Sequence, residues 1–353
     1  MGRNDLHLAG TKDKRAVKEQ LIVTRNEHLG ELNISDVEFE LLYRTDKKLY
    51  LGDLHGNEFF IIVKHCKSEN VENIKRELEE RGGFPNFFGV QRFGIARPNT
   101  HLIGRDIVEG DFEGAVMRYL CDNGNEDEWV GEARKNLRDT MDFSRALEEF
   151  PRGLNFERML IEHMLKKGGD YAGALRSLPV TLRTIFVYAY QSYLFNRVVS
   201  RRINMGLPLC EPIIGDIVVP LDTFGNPENE FIPVKDFNID KIGKNIKKKR
   251  CAITGAVFGF DSPLAEGVQG NIEREIIGNE SDDVDAFLRK FVIYEIPEIN
   301  SRGLRRAMQV STKVEINTED DSTASFSFSL PKGCYATSLL REFIKCSDLR
   351  SYG

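Results

Sequence analysis

Apolar and polar residues alternate most strictly near the C-terminus. In ASFSFSLPKGCYATSLLREFI (324–344), Phe326, Phe328 and Leu330 fall on every second position, which predicts a half-buried strand, then a Pro-Lys-Gly turn and a helix. Near the other end, QLIVTR (20–25) reads as a short strand rich in β-branched residues. LGDLHGNEFFIIV (51–63) places the Gly56-Asn57 turn signal just before an apolar strand. Alternating charge over 68–81 predicts an exposed helix. From about Asp111 the apolar spacing turns helical, in GDFEGAVMRYLC (110–121), EDEWVGEARKNLRDT (126–140), DFSRALEEF (142–150) and GLNFERMLIEHMLKKG (153–168). A long segment over 178–206 repeats apolar residues at Leu182, Ile185, Phe186, Ala189, Tyr193 and Leu194, the stripe of a core helix. Beyond it IIGDIVVPLD (213–222), FIPVKDF (231–237), CAITGAVFGFDSP (251–263) and FVIYEIP (291–297) read as strands. No internal repeat or low-complexity tract interrupts this order.

Composition narrows the class. A chain of 353 residues is long enough for two domains, and 41% apolar with 29% charged residues excludes wholesale disorder. No apolar run is long enough for a membrane span, and the N-terminus lacks the apolar core of a signal peptide. The six cysteines are scattered without a CxxC pair and the six histidines form no ligand-spaced cluster. The expectation is therefore no metal site, no disulfide framework and a cytoplasmic location. A net charge of -6 argues against a protein that coats nucleic acid unselectively, but it leaves room for a local basic groove. Acid gathers in NGNEDEW (123–129), NESDDVD (279–285) and TEDD (318–321), and base in TKDKRAVK (11–18), SRR (200–202), KKKR (247–250) and SRGLRR (301–306).

Two stretches hold candidate chemistry. In GTKDKRAVKEQ (10–20), Asp13 stands between Lys12 and Lys14 and is followed by Arg15. Such a run is ordinarily a solvated turn in which the acid balances its neighbours. The alternative is a carboxylate that the cations keep ionised, able to serve as nucleophile or base for a polyanionic substrate. In FPNFFGVQRFG (84–94), four phenylalanines surround Asn86, Gln91 and Arg92. This is either a buried aromatic turn or a wall on which a nucleobase stacks, with amide and guanidinium groups for its edge or the adjoining phosphate.

With these pieces in order, the chain resembles the TruD family of tRNA pseudouridine synthases. The resemblance is carried by GTKDKRAVKEQ, LGDLHGNEFFIIV, FPNFFGVQRFG, RTIFVYAYQSYLFN (183–196), RRAM (305–308) and LPKGCYATSLLRE (330–342), in that order. It implies an isomerase that converts uridine to pseudouridine in tRNA, at position 13, with tRNA as partner and no cofactor. By motif, Asp13 is the catalytic carboxylate, flanked by Lys12, Lys14 and Arg15. Asn86, Phe88 and Arg92 line the uridine pocket, with Phe88 stacking on the base. Tyr335, Ala336, Thr337, Arg341 and Glu342 belong to the catalytic fold. The implied architecture is α+β: a pseudouridine synthase core with a mixed, largely antiparallel sheet, built from 1–111 and 299–353, interrupted by an inserted α/β TRUD domain at 112–298. In the family the GTKDK motif sits deeper in the chain, so the N-terminal part of the catalytic domain is expected to be missing here. That opens an alternative: an RNA-binding protein of the same fold without activity. A protein scaffold unrelated to RNA would need a separate account of both stretches.

Overall fold

The strands of the N-terminal part form where apolar and β-branched residues cluster beside turn residues. In the computed structural model, which describes residues 6–10, 16–24, 35–64, 71–320 and 322–346, strand β1 (Leu6–Leu8) pairs antiparallel with β2 (Ile22–Thr24). The Gly56-Asn57 signal opens β3 (Gly56–Lys64), whose side chains alternate between exposed and half-buried. The charge-rich segment after it yields helix α1 (Val71–Glu80). A short β4 (Phe84–Pro85) and a 3-10 turn at Val90–Arg92 follow.

The helical stretch begins at α2 (Thr100–Val108), ahead of the change read from the sequence at Asp111. Its glycine lowers helix propensity and hides the pattern, yet tertiary packing requires it. A Cβ at Gly104 would lie 1.9 Å from the carbonyl oxygen of Phe186. Only glycine allows this approach to the long helix. Helices α3 (Phe112–Cys121), α4 (Glu128–Thr140), α5 (Phe143–Glu149), α6 (Asn155–Lys166) and α7 (Tyr171–Ser177) then pack in succession, leading to α8 (Val180–Asn204). The α8 stripe that faces the helical core is Phe186, Val187, Tyr190, Leu194 and Val198, together with Ile103, Ile107, Leu120 and Leu160. Ile185, counted in the expected stripe, is exposed.

After α8 come β5 (Ile217–Pro220), β6 (Ile232–Pro233), α9 (Ile239–Lys247), β7 (Cys251–Val257), α10 (Gly267–Gly278) and α11 (Val284–Arg289). The segment FVIYEIP is not the expected strand. Phe291, Ile293 and Ile296 are buried in the helical core by consecutive turns that end in a 3-10 turn at Pro297–Ile299. Pro297 has no N–H for a ladder, and the Ile293 N–H donates instead to the Asn300 side chain at 2.6 Å. Then β8 (Leu304–Ala307), β9 (Gln309–Val310), β10 (Val314–Asp320), β11 (Thr323–Pro331) and α12 (Ala336–Ile344) complete the order.

Every strand pairing among the described residues is antiparallel. One sheet has the order β6-β5-β7-β8, and another β10-β11-β3. The second joins the two ends of the chain, with Phe328 opposite Phe59 and Phe326 opposite Ile61. Its Phe326, Phe328 and Leu330 are buried against α1 and α12, as the alternation predicts. The short β4–β9 pair makes a second such join, so the helical stretch leaves and re-enters beside one point. Two of the basic runs, SRR and SRGLRR, are partly internal. Arg202 is fully buried on Asp216 (2.6 Å) and Gln269, and Arg305 is fully buried on Glu273 (2.9 Å) and Thr254. Guanidinium groups bury this way because the fork meets carboxylate and carbonyl oxygens together.

Candidate active site

The β4–β9 pairing delivers Asn86 to the point where the two chain ends meet. Asn86 is 3% exposed and held on three sides. Its N–H donates to the Met308 carbonyl (2.8 Å), its Nδ2 donates to the Ala307 carbonyl (2.9 Å), and its Oδ1 accepts from Arg306 Nη2 (2.6 Å). The same Arg306 donates to the Gly333 carbonyl (3.1 Å), and its guanidinium carbon lies 4.1 Å from the ring centroid of Phe88.

Phe88 is half-buried and fixed by its backbone. Its N–H donates to Asn196 Oδ1 on α8 (2.9 Å), and its carbonyl accepts from Asn196 Nδ2 (3.0 Å). Phe195 and Tyr335 meet the ring edge-on at 5.5 and 5.9 Å. Arg92 approaches the ring at 5.6 Å while its Nε donates to the Tyr335 hydroxyl at 3.1 Å. Gly89 explains how α12 comes so close: a Cβ there would stand 2.5 Å from Thr337 Oγ1 and 2.8 Å from Tyr335 Cδ1. The Ser338 hydroxyl locks the same contact by donating to the Phe87 carbonyl (2.8 Å).

The electrostatics of this cluster are one-sided. Burial pushes the Arg306 guanidinium pKa down, with Arg92 adding in the same direction. Burial also pushes the Cys334 thiol beside it up, keeping it neutral. Among the described residues neither Arg306 nor Arg92 takes part in an ion pair. Among the described residues the site therefore presents an aromatic ring, an oriented amide and two cations with no carboxylate partner. Chemically it can hold a planar base beside an anionic group, a phosphate or a carboxylate. Among the described residues no three His, Cys, Asp or Glu side chains are grouped to hold a metal, and no helix is long and apolar enough to cross a membrane.

Of the residues expected at the site, Asn86, Phe88 and Arg92 come together here. Arg341 and Glu342 lie further along α12, Arg341 exposed and Glu342 with its carboxyl pushed up by burial. The start of that helix, at Tyr335, Thr337 and Ser338, is what touches the cluster. Lys12, Asp13, Lys14 and Arg15 lie outside the described residues. Sequence reading missed Arg306 and Asn196 as site residues, although both stand in motifs that it quoted. Neighbours on a strand point to opposite faces, so of Arg305 and Arg306 one must turn inward to Glu273 and the other outward to Phe88. Only the sheet decides which.

Comparison with known proteins gives the family and the fold. The family model described as tRNA pseudouridine synthase D (TruD) matches residues 1–343. A protein of Methanococcoides burtonii named a probable tRNA pseudouridine synthase D is 39% identical, covering 97% of this chain and 81% of its own. One of the same name from Thermococcus onnurineus is 40% identical, with coverage of 97% and 82%. A crystal structure described as a tRNA pseudouridine synthase D from Methanosarcina mazei superposes with a TM-score of 0.85 at 35% identity, covering 99% of this chain and 83% of that one. With a family match along almost the whole length and the same fold, the chain belongs to the TruD family of tRNA pseudouridine synthases.

Proposed function

We propose that this chain isomerises uridine to pseudouridine in tRNA, at position 13 and in the cytoplasm, with Asp13 as the catalytic carboxylate. The observation that carries the reading is the meeting of Asn86, Phe88, Arg92 and Arg306 in a chain whose family match runs through Asp13. The reaction breaks the bond from uracil N1 to C1′ and forms one from C5 to the same carbon. A proton leaves C5 and one is gained at N1, so there is no net redox change and no co-reactant. Asp13 serves either by attacking C1′ or by taking a sugar proton. Lys12, Lys14 and Arg15 favour its ionised form.

The detached uracil must be kept from escaping while it turns. Phe88 supplies a ring to stack on, Asn86 an amide for the edge, and Arg92 and Arg306 cations for the phosphate beside it. Arg341 and Glu342 support this part of the fold from α12. The catalytic part is assigned to 1–111 and 299–353 and the insert to 112–298. Helix α2 packs with the insert, because Ile103 and Ile107 lie in the helical core. The test is tritium release from tRNA carrying uridine tritiated at C5. The parent chain is expected to release tritium, and Asp13→Asn to lose turnover while tRNA affinity changes little, since the residue acts on the reaction coordinate. Turnover of the mutant within about tenfold of the parent would remove Asp13 from this role. A parent chain that binds tRNA without release would return the inactive alternative.

A further inference from the structure

A second aromatic assembly lies outside the Phe88 cluster, and it is exposed. The rings of His55 and Phe224 stack with centroids 3.9 Å apart and planes 19° from parallel. Phe224 keeps 55% of its surface exposed, and His55 is exposed as well. The two residues come from different parts of the chain. His55 stands just before β3, and Phe224 is at the tip of the turn that follows β5.

That turn is held tightly. Asp222 Oδ1 accepts from the N–H groups of Phe224 and Asn226, both at 2.8 Å, and the Asp222 N–H donates to the Asn226 carbonyl at 3.0 Å. Gly225 takes the left-handed φ of 81° that the reversal needs. Asn226, 5% exposed, then fastens the turn to the other half of the molecule. Its Nδ2 donates to the His55 carbonyl (3.0 Å), and its Oδ1 accepts from the Lys332 N–H (3.1 Å). The residue after Lys332 is Gly333, whose carbonyl accepts from the Arg306 that covers Phe88. The exposed stack thus borders the candidate active site through Asn226, Lys332 and Gly333.

We propose that the His55–Phe224 pair is a stacking platform for an unpaired nucleobase of the RNA that flanks the target uridine; this rests on the function proposed above. A uridine that leaves its stack strips its neighbour of a partner. An aromatic ring can replace that partner for any base, because every base has a π-face. The platform is preorganised, since the Asp222 turn and the Asn226 bridge fix the backbone at Phe224 and His55, from which the two rings already stack on each other. On the side that faces the candidate active site the charge is cationic, which suits a polyanion, whereas Asp222 lies in the turn itself and Asp53, Glu228 and Glu230 are the exposed acids on the flanking segments. Lys332 is exposed beside it, Arg306 and Arg92 lie beyond, and the oxygens of Asp222 are engaged within its own turn.

The experiment compares the 353-residue chain with Phe224→Ala and Phe224→Trp, with melting temperatures taken first to show that both fold. Phe224→Ala is expected to raise Kd for tRNA and KM in tritium release by about tenfold, within what one stacked base contributes, with the loss lying in KM rather than kcat. Phe224→Trp should bind as the parent does. In tRNA carrying 2-aminopurine next to the target, fluorescence should be quenched on binding by the parent and by Phe224→Trp, and not by Phe224→Ala. Unchanged Kd and quenching in Phe224→Ala would overturn the proposal, as would a Trp variant as weak as the Ala variant. A parent that shows no tritium release but does show Phe224-dependent quenching would sink the catalytic reading and leave the platform standing. An active parent with a Phe224→Ala variant equal to it would do the reverse.

Discussion

A phenylalanine ring beneath a guanidinium group answers to substitution differently from one in a hydrocarbon core. Phe88 carries Arg306 at 4.1 Å and Arg92 at 5.6 Å, and only part of its surface packs on Phe195 and Tyr335. Phe88→Leu keeps apolar bulk against those neighbours but removes the face that holds the cations and would hold the base. The melting temperature should therefore fall by only a few degrees, while turnover falls by about tenfold or more, the equivalent of roughly 1.4 kcal/mol. Thermal melts beside tritium release at saturating tRNA check this. Full activity with a large loss of stability would return Phe88 to the core. Asn86 was readable as a candidate because an amide among phenylalanines is conspicuous. Arg306 was not, since the adjacent Arg305 is chemically identical and only strand geometry separates their roles.

Among the elements, α9 shows how a charge run and a helix hide one another. Ile239, Ile242 and Ile246 supply its inner stripe, and Lys244 and Lys247 occupy its last turn, where the carbonyl ends favour cations. Lys247, Lys248, Lys249 and Arg250 are all exposed, with Lys249 in the left-handed region at φ 57°. By contrast Arg202 and Arg305 are buried structural ions and unavailable to RNA. Replacing residues 247–250 by glutamine is expected to lower tRNA affinity and to reduce the slope of log K against log salt by about one for each cation that meets a phosphate. Binding titrated over several salt concentrations measures it, and the rate at saturating tRNA should not change. An unaltered slope would make the run a solvated surface.

Across the whole molecule, apolar packing separates into distinct clusters. The helical cluster draws its residues from Ile103 to Ile299, whereas the cluster under the β10-β11-β3 sheet needs Val71 and Phe84 from one end and residues from Val310 to Leu340 from the other. Residues 100–308 expressed alone should consequently retain a helical core, melt cooperatively by circular dichroism, and show no turnover because Asn86, Phe88 and Asp13 are gone. A broad, non-cooperative melt would mean that the helical core depends on the β10-β11-β3 sheet. The same fragment lacks His55, so it should also fail to quench a base placed beside the target.

The sequence by itself determined what short-range periodicity and motif chemistry can carry. The alternation through Phe326, Phe328 and Leu330 named a strand and its buried face, the helical stripes announced most of the middle, and the ordered motifs pointed to the family. Those signals depend on neighbours a few positions apart, which is the range over which strand and helix periods act. Tertiary structure alone decided the rest. Gly104 has its role only because Phe186 comes against it, and FVIYEIP looked like a strand until the helical core took its side chains. Arg306 became a site residue, and His55 and Phe224 a single stack, because β4 with β9 and β3 with β11 bring distant segments into register. Such pairings depend on which surfaces can be buried together across the whole chain, and no local pattern encodes them.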